Sequence, residues 1–230
     1  MLTLSTLFCD DIFVARKKKE YHHGNLRAAL IDSGLQLIDE KGVRALTLRE
    51  IGNRLGVSRS AAYRHFADKA ALLSAIREAG FTAFGDALEA AKSAAGPDFA
   101  SRLEAMGIAY VRFANEHRAH FEVMFAAPPD PECAPSEAGE RAFGILEQTI
   151  REGQQTADVR SGDSKLLARA VWAQIHGVSV LRLADDPSTP DFLRVCFEVL
   201  ENGVMRPIPG TSALRSPETP RRSAGSPGVS

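Results

Sequence analysis

Apolar residues recur every three or four positions across most of residues 25–200, which is the spacing of one face of an α-helix. No stretch of useful length alternates apolar and polar residues as a half-buried strand would, and no segment repeats another. The pattern therefore predicts an all-α chain of about nine helices. Hydrophobic residues make up 44% of the 230 positions, which is enough apolar material for a sizeable core.

The sequence also limits where such a chain works. No apolar run reaches the roughly 18 residues that a membrane span needs, and the first fifteen residues, interrupted by Asp10 and Asp11, are a poor secretory signal. Cys9, Cys133 and Cys196 are too few and too scattered for a disulfide framework or a zinc site. We therefore expect a cytoplasmic protein with no membrane partner, no metal and no cofactor.

Charge is distributed unevenly, although the formal net charge is only −1. Residues 16–69 contain twelve Lys and Arg against six Asp and Glu, a balance of +6, so the remainder of the chain carries −7. Such asymmetry indicates a segment that binds a polyanion, joined to a body with another task. An architectural DNA-binding protein would be basic over most of its surface, which disfavours that alternative.

The basic segment has the pattern of a helix-turn-helix over residues 46–65. Thr47 and Glu50 form a capping box that starts one short helix, because the hydroxyl can accept the amide three residues later while the carboxylate reaches back. Gly56 suits the left-handed turn after that helix, and Ser58 can cap a second short helix.

The second short helix is predicted to bury Ala62 and Phe66. Its outward face then carries Arg, Ser and Tyr side chains behind a positive helix N-terminus, which suits a DNA major groove. A plain helical hairpin with a solvated basic face is the alternative, and the capping box, the glycine turn and the local charge together disfavour it.

The other predicted helices follow the same apolar spacing. The first runs from about Asn25 to Lys41 and ends at Gly42. Asp68 caps a fourth, long helix whose predicted apolar stripe is Leu72, Leu73, Ile76, Ala79, Ala83 and Ala87. Later helices are predicted from about Asp98, over His117–Phe125, over Glu137–Gln155, and after Asp163 and Pro190, with a proline-rich loop at 126–137.

The stretch from Gly24 to about Ala83 resembles the DNA-binding domain of the TetR family of bacterial transcriptional regulators. The matching pieces are DEKG at 39–42, LTLREIGNRLGVS at 46–58 and AAYRHFADKAALL at 61–73. The last piece has the family's Tyr-x-His-Phe, followed shortly by a Lys at the start of the fourth helix. The resemblance implies a homodimeric regulator, usually a repressor, that binds a double-stranded DNA operator and is released by a small ligand.

The resemblance and the local composition together divide the chain into four parts. They are a flexible basic arm at 1–19, a helix-turn-helix DNA-binding domain at 20–83, a ligand-binding and dimerisation domain at 84–205, and a disordered tail at 206–230.

By this resemblance, eight residues contact DNA. Those expected on backbone phosphates are Thr47, Tyr63, His65 and Lys69, and those expected at base edges are Arg59, Ser60, Ala61 and Arg64. Alternatives stay open for three of them. His65 could pack or cap beside Phe66, Lys69 could be solvated at a helix start, and Tyr63 could be a core aromatic, although its neighbours one turn away are expected to be exposed.

The C-terminal half resembles the family less specifically. Trp172, His176 and Gly177 match the Trp-x-x-x-His-Gly pattern of one ligand-domain subgroup, and His176 could either hydrogen-bond an effector or be a core histidine. We predict a hydrophobic or amphipathic effector in a pocket lined by Tyr110, Phe113, Phe121, Met124, Phe143, Trp172 and His176. The alternative is that these large side chains simply fill the core.

The last two long helices carry apolar stripes wider than one domain core needs. We expect them to pair with the same helices of a second copy in a four-helix interface. The stripe residues are Leu167, Val171, Gln174, Val178 and Leu181 on one helix, and Phe192, Val195, Val199 and Leu200 on the other.

A metal site and an enzyme are two further alternatives. His117, His120 and Glu122 are metal-ligand types, but no second cluster accompanies them, so no metal is expected. An enzyme is the other alternative, and the sequence has no GxSxG, GxGxxG, P-loop or HExxH motif to support it.

Overall fold

The computed structural model describes residues 25–126, 136–181 and 189–205 of the 230-residue protein. Within these ranges every regular element is helical, which confirms the predicted all-α fold of nine α-helices. The helices are α1 (Leu26–Lys41), α2 (Leu48–Leu55), α3 (Arg59–His65), α4 (Lys69–Ala94), α5 (Phe99–Glu116), α6 (Arg118–Phe125), α7 (Glu137–Gln155), α8 (Ser164–Val180) and α9 (Thr189–Leu200). A 3₁₀ turn (Val43–Ala45) joins α1 to α2, and a π-helical turn (Glu201–Met205) follows α9.

Side-chain caps start α2, α3 and α4 where the sequence predicts them. The Thr47 hydroxyl accepts the Glu50 N–H at 3.2 Å. The Ser58 hydroxyl and the Asp68 carboxylate each accept the amide three residues later, at 3.2 and 2.8 Å. Gly56 ends α2 in the left-handed conformation with φ +66°, which a residue with a side chain adopts only under strain.

Two hydrophobic cores organise the described residues. The first joins α1, α2, α3 and the start of α4, and its fully buried side chains include Leu30, Leu37, Leu46, Ile51, Leu72 and Ile76. The second joins the rest of α4 with α5, α7, α8 and α9. Helix α6 contributes to both, because Ala119 and Val123 belong to the first core and Met124 to the second.

The predicted buried face of α4 is correct only in its first half. Leu72 and Ile76 are buried, but farther along the helix Gly80, Phe84 and Leu88 face the core, whereas Ala83 is exposed. The helix thereby buries a phenylalanine and a leucine where the predicted face would have buried alanines, and this removes more apolar surface from water.

The predicted apolar stripe of α8 also needs correction. Leu167, Val171 and Val178 are buried inside the protomer and therefore cannot form a surface for a second copy. Gln174 is half-buried, with its Nε2 donating to the Cys196 carbonyl at 3.0 Å. A different set of α8 residues faces outward, namely Leu166, Ala170, Ala173 and Val180, and of the predicted stripe only Leu181, just after the helix, is exposed.

Three of the four stripe residues predicted on α9 are exposed in the protomer, and their pairing with a second copy stays a prediction. Phe192, Val195 and Val199 are exposed, and of the predicted set only Leu200 is buried in the protomer.

Several predictions lie outside the described residues. These concern the basic arm, the C-terminal tail, most of the proline-rich segment, Cys9 and Cys133. Among the helices that are described, none is both long and apolar enough to cross a lipid bilayer.

Candidate DNA-binding surface and internal cavity

One side of helix α3 packs against the first core, and the other side faces outward. Ala62 and Phe66 are buried on the packed side. Arg59, Ser60 and Arg64 are exposed on the other, and the Tyr63 ring is 41% exposed rather than packed in the core. Tyr63 is therefore available for an external contact, which removes the core-aromatic alternative.

The remaining predicted contact residues surround this outer face. Thr47 and His65 are exposed and Ala61 is half-buried. Because the His65 side chain is exposed while the neighbouring Phe66 is buried, the alternative of a packed histidine loses support.

Unpaired cations are concentrated on this unit of the protein. The Arg59 guanidinium lies 5.3 Å from the centroid of the Tyr63 ring, so the two side chains stack rather than spread apart. Within the described residues, five exposed arginines have no carboxylate within ion-pair distance, and they are Arg27, Arg44, Arg49, Arg59 and Arg64. Uncompensated guanidinium groups on one unit fit a phosphate backbone.

Arg54 differs from those arginines because it is neutralised within the protein. Its Nη2 lies 2.7 Å from Glu40 Oε2 and its Nε lies 3.7 Å from Glu50 Oε1. Hydrogen bonding to Arg54 lowers the pKa of Glu40, and the same bond raises the pKa of Arg54. The Glu40 pair links α1 to α2, whereas the Glu50 carboxylate turns to Arg54 within α2, so of the predicted capping box only the threonine half forms.

Lys69 has a structural partner that the sequence did not reveal. Its Nζ donates to the Val43 carbonyl at 2.8 Å and to the Arg44 carbonyl at 3.5 Å. The bond holds the connector between α1 and α2 against the start of α4, and an ammonium has three donors, so one remains for another acceptor. No sequence signal marks this bond, because the two partners are 26 residues apart.

A partly open cavity of about 650 Å³ lies among the helices of the second core. Four of the seven predicted pocket residues line it, namely Tyr110, Met124, Phe143 and Trp172. Phe113, Phe121 and His176 are not among its lining residues. They pack behind the wall, where the Phe121 ring lies 6.0 Å from Tyr110 and the Phe113 ring lies 5.2 Å from Phe84.

The cavity also has walls that the sequence analysis missed. These come mainly from α4, α5 and α9 and include Phe84, Leu88, Leu103, Met106 and Phe197. Gly80, Phe84 and Leu88 are spaced four residues apart, which is typical of one face of a helix. This spacing could have identified the α4 residues of the wall.

Tyr110, which is buried, and His176, which is half-buried, form a polar pair beside the cavity. The Tyr110 hydroxyl lies 2.7 Å from His176 Nδ1, and the Trp172 indole stacks on the imidazole at 4.9 Å with an interplanar angle of 22°. Burial raises the pKa of Tyr110 and lowers the pKa of His176. Both groups are therefore neutral near pH 7, so the hydroxyl donates and Nδ1 accepts.

His117 and His120 lie close together on α6 and its entry, with ring centroids 6.0 Å apart. Burial, aided by the neighbouring His117, lowers the pKa of His120. In the part of the chain that the structure describes, no group of three or more His, Cys, Asp or Glu is placed to hold a metal ion.

Two family models match the chain. Residues 30–76 match the model described as bacterial regulatory proteins, tetR family, and residues 103–201 match the model described as tetracyclin repressor-like, C-terminal domain. The first match covers the unit that carries α3, and the second covers most of the helices that enclose the cavity.

Individual proteins are similar over different parts of the chain. The class C tetracycline repressor protein of Escherichia coli is 45% identical over 56 residues, which are 24% of this chain and 26% of that protein, so the chain spans about a quarter of that relative. A solved structure of a protein with unknown function from Rhodococcus sp. RHA1 is 30% identical with a TM-score of 0.74, over 82% of this chain and 100% of that one. A TetR family transcription regulator from Marinobacter aquaeolei VT8 shares the fold at 19% identity, with a TM-score of 0.63 over 77% of this chain and 94% of that one.

Proposed function

Because the chain belongs to the TetR family of bacterial transcriptional regulators, we propose that it is a repressor that binds an inverted-repeat DNA operator as a homodimer and releases it when a small effector occupies the internal cavity. The observation that carries this proposal is the arrangement of an exposed, uncompensated cationic face on α3 and a cavity on two cores that share helices α4 and α6. The family consists of transcription regulators, which disfavours the alternative of an enzyme.

For the DNA contacts, we propose two groups of residues. Arg59, Ser60, Ala61 and Arg64 lie on or beside the outer face of α3 and would face base edges in the major groove. The residues proposed on phosphates are Thr47, Tyr63, His65 and Lys69, of which Lys69 would use the donor left free by the two carbonyls that it binds.

The exposed apolar residues of α8 and α9 support a homodimer. Leu166, Ala170, Ala173, Gly177 and Val180 follow one another at spacings of four, three, four and three residues, which is the seam of a helix that packs along another helix. A side chain added at Gly177 would meet no atom within 4 Å in the protomer, so the surface there is open to a close approach. On α9, Phe192, Val195 and Val199 are 38%, 45% and 58% exposed.

Effector release is supported by the size and position of the cavity. Its volume of about 650 Å³ suits a small organic molecule, since ligand pockets measure roughly 300–1,000 Å³. Helix α4 runs from the first core into the cavity wall, and α6 contributes side chains to both cores. An occupant that prefers a different placement of these helices would lower operator affinity by that preference, and DNA would weaken the occupant reciprocally.

The DNA assignment is tested by binding measurements on a selected operator and on scrambled DNA. Arg64→Ala should reduce the preference for the operator by about 1–3 kcal/mol, the value of a bidentate base contact. Tyr63→Ala should weaken binding to both DNAs equally. Arg112→Ala is the control, because Arg112 is an exposed cation on α5, outside the DNA-binding unit, and its loss should leave both affinities unchanged. Equal effects of Arg64→Ala and Arg112→Ala would overturn the assignment.

The dimer is tested by sedimentation at micromolar concentration. Ala173→Arg places a charge in the middle of the exposed α8 stripe and should convert the dimer to a monomer with weak operator affinity. Ala90→Arg adds the same charge at an exposed position of α4 outside the stripe and should remain dimeric. An unchanged dimer in the Ala173→Arg protein would show that α8 is not the interface.

A further inference from the structure

The α8 helix presents a third face, separate from its core face and its outer stripe. Lys165, Arg169 and Trp172 recur at spacings of four and three residues, and all three line the cavity. The cavity wall therefore changes along α8 from two cationic side chains to an aromatic ring that packs deeper in the protein.

The two cations have no internal partner. Among the residues that the structure describes, neither Lys165 Nζ nor the Arg169 guanidinium takes part in a side-chain hydrogen bond or an ion pair. The nearby wall carboxylate, Glu147, is already neutralised, since it accepts from Arg151 at 2.6 Å and from Ser164 at 3.3 Å. Within the described residues, the positive charge of Lys165 and Arg169 is therefore uncompensated.

The other charged side chains of the wall are arranged differently. The Arg77 guanidinium is also in the wall, but its Nε and Nη2 donate to the carbonyls of Val123 and Ala126 at the end of α6. Glu140, a wall carboxylate with no hydrogen-bond partner or ion pair in the described ranges, lies about 10 Å before Glu147 along α7. An anionic group is therefore favoured beside Lys165 and Arg169 rather than beside the occupied Arg77 or the carboxylate of Glu140.

Apart from these charged side chains, the wall is long and apolar. On α4 it runs from Arg77 through Phe81 and Phe84 to Leu88, a distance of about 16 Å along the helix. The Tyr110 hydroxyl in this stretch is already bonded to His176, so the ring offers its apolar faces to an occupant. An extended alkyl chain is the simplest molecule that matches such a surface.

We propose that the occupant is a single-chain amphiphile with an anionic head, which places its carboxylate between Lys165 and Arg169 and its alkyl chain along the apolar wall. The inference rests on the proposed function only in treating the cavity as the effector site. Because binding to the cavity can be measured without DNA, failure of the ligand proposal is distinguishable from failure of the repressor proposal.

The test uses dodecanoate, dodecanol and dodecyltrimethylammonium, each titrated into the full chain and followed by calorimetry. Trp172 is the single tryptophan and lines the cavity, so its quenching by ω-bromododecanoate reports occupancy of this site rather than adsorption elsewhere. We expect dodecanoate to bind about tenfold more tightly than dodecanol, and dodecyltrimethylammonium to bind most weakly.

The variant Lys165→Gln/Arg169→Gln should lose that tenfold preference while its affinity for dodecanol stays the same. Both side chains are exposed and unpartnered, so this variant is expected to fold. Arg112→Gln is the matched control and should retain the preference. The proposal is overturned if the alcohol or the ammonium binds as tightly as the acid, if the double variant retains the preference, or if none of the three compounds binds. Operator binding, measured separately, would then still decide the repressor proposal.

Discussion

Gly153 near the end of α7 provides a sharp test of how tightly the second core is packed. A Cβ added there would lie 2.6 Å from Val159 Cγ2 and 2.7 Å from Phe99 Cδ2. Both neighbours are only 4% exposed, so neither can turn away into solvent. Gly144 lies in the same helix, where an added Cβ would meet nothing within 4 Å.

The two substitutions share one favourable contribution and differ in another. Replacing a helical glycine by alanine stabilises a protein by about 0.5–1 kcal/mol, because the unfolded chain loses conformational freedom. At Gly153, forcing a methyl group into a filled core should cost about 1–3 kcal/mol. We therefore expect Gly144→Ala to raise the free energy of unfolding by about 0.5–1 kcal/mol and Gly153→Ala to lower it by up to about 2 kcal/mol.

Urea denaturation, followed by circular dichroism at one fixed protein concentration, measures this difference. The concentration is fixed because dimerisation would otherwise shift the midpoint. If Gly153→Ala stabilised the protein as much as Gly144→Ala does, the close packing of Phe99 and Val159 on α7 would be refuted.

Two further predictions concern individual polar groups. Burial lowers the folded-state pKa values of His120 and His176 below the unfolded value, so the folded protein binds fewer protons than the unfolded chain. Stability should therefore be highest above about pH 6.5 and fall as the pH is lowered toward 5. His176→Gln should flatten a plot of melting temperature against pH. Lys69→Met should lower the free energy of unfolding by about 1 kcal/mol, because the Val43 carbonyl loses its donor, and it should also reduce the salt dependence of DNA binding by about one phosphate if the third donor contacts DNA.

The sequence predicts the features of this protein that depend on neighbouring residues. Thr47, Ser58 and Asp68 cap their helices because a short oxygen-bearing side chain is placed three residues before the amide that it accepts. Gly56 ends α2 for a similarly local reason. Helix number, helix starts and the outward face of α3 were therefore predictable from the sequence.

Features set by contacts between distant helices were predicted less well. Helix α8 has apolar or aromatic residues on three faces, and periodicity alone cannot decide which face meets the core, which meets a second copy and which lines a cavity. Val171 and Ala173 are both apolar, yet the first is buried and the second is exposed. Likewise, the bond from Lys69 to Val43 depends on the path of the chain between them.

The shared position of α6 leads to a last prediction about communication between the two cores. Val123 is 2% exposed in the first core, while the adjacent Met124 is 4% exposed in the second and packs against the close approach at Gly80, where an added Cβ would lie 2.8 Å from Met124 Sδ. A shift of α6 caused by an occupant of the cavity would therefore move Val123 within the DNA-binding unit.

Val123→Ala removes the side chain through which that movement would be felt. The variant should be less stable by about 1–2 kcal/mol, bind the cavity ligand with unchanged affinity, and show a smaller loss of operator affinity when the ligand is added. Ile51→Val is the control, because Ile51 is fully buried in the same core on α2 and its truncation costs a similar amount of stability, about 0.5–1.5 kcal/mol, without touching α6. Equal coupling in the Val123→Ala protein and the wild type would show that α6 does not carry the signal. Coupling lost to the same extent in both variants would attribute the effect to stability alone, since of these two residues only Val123 lies on α6.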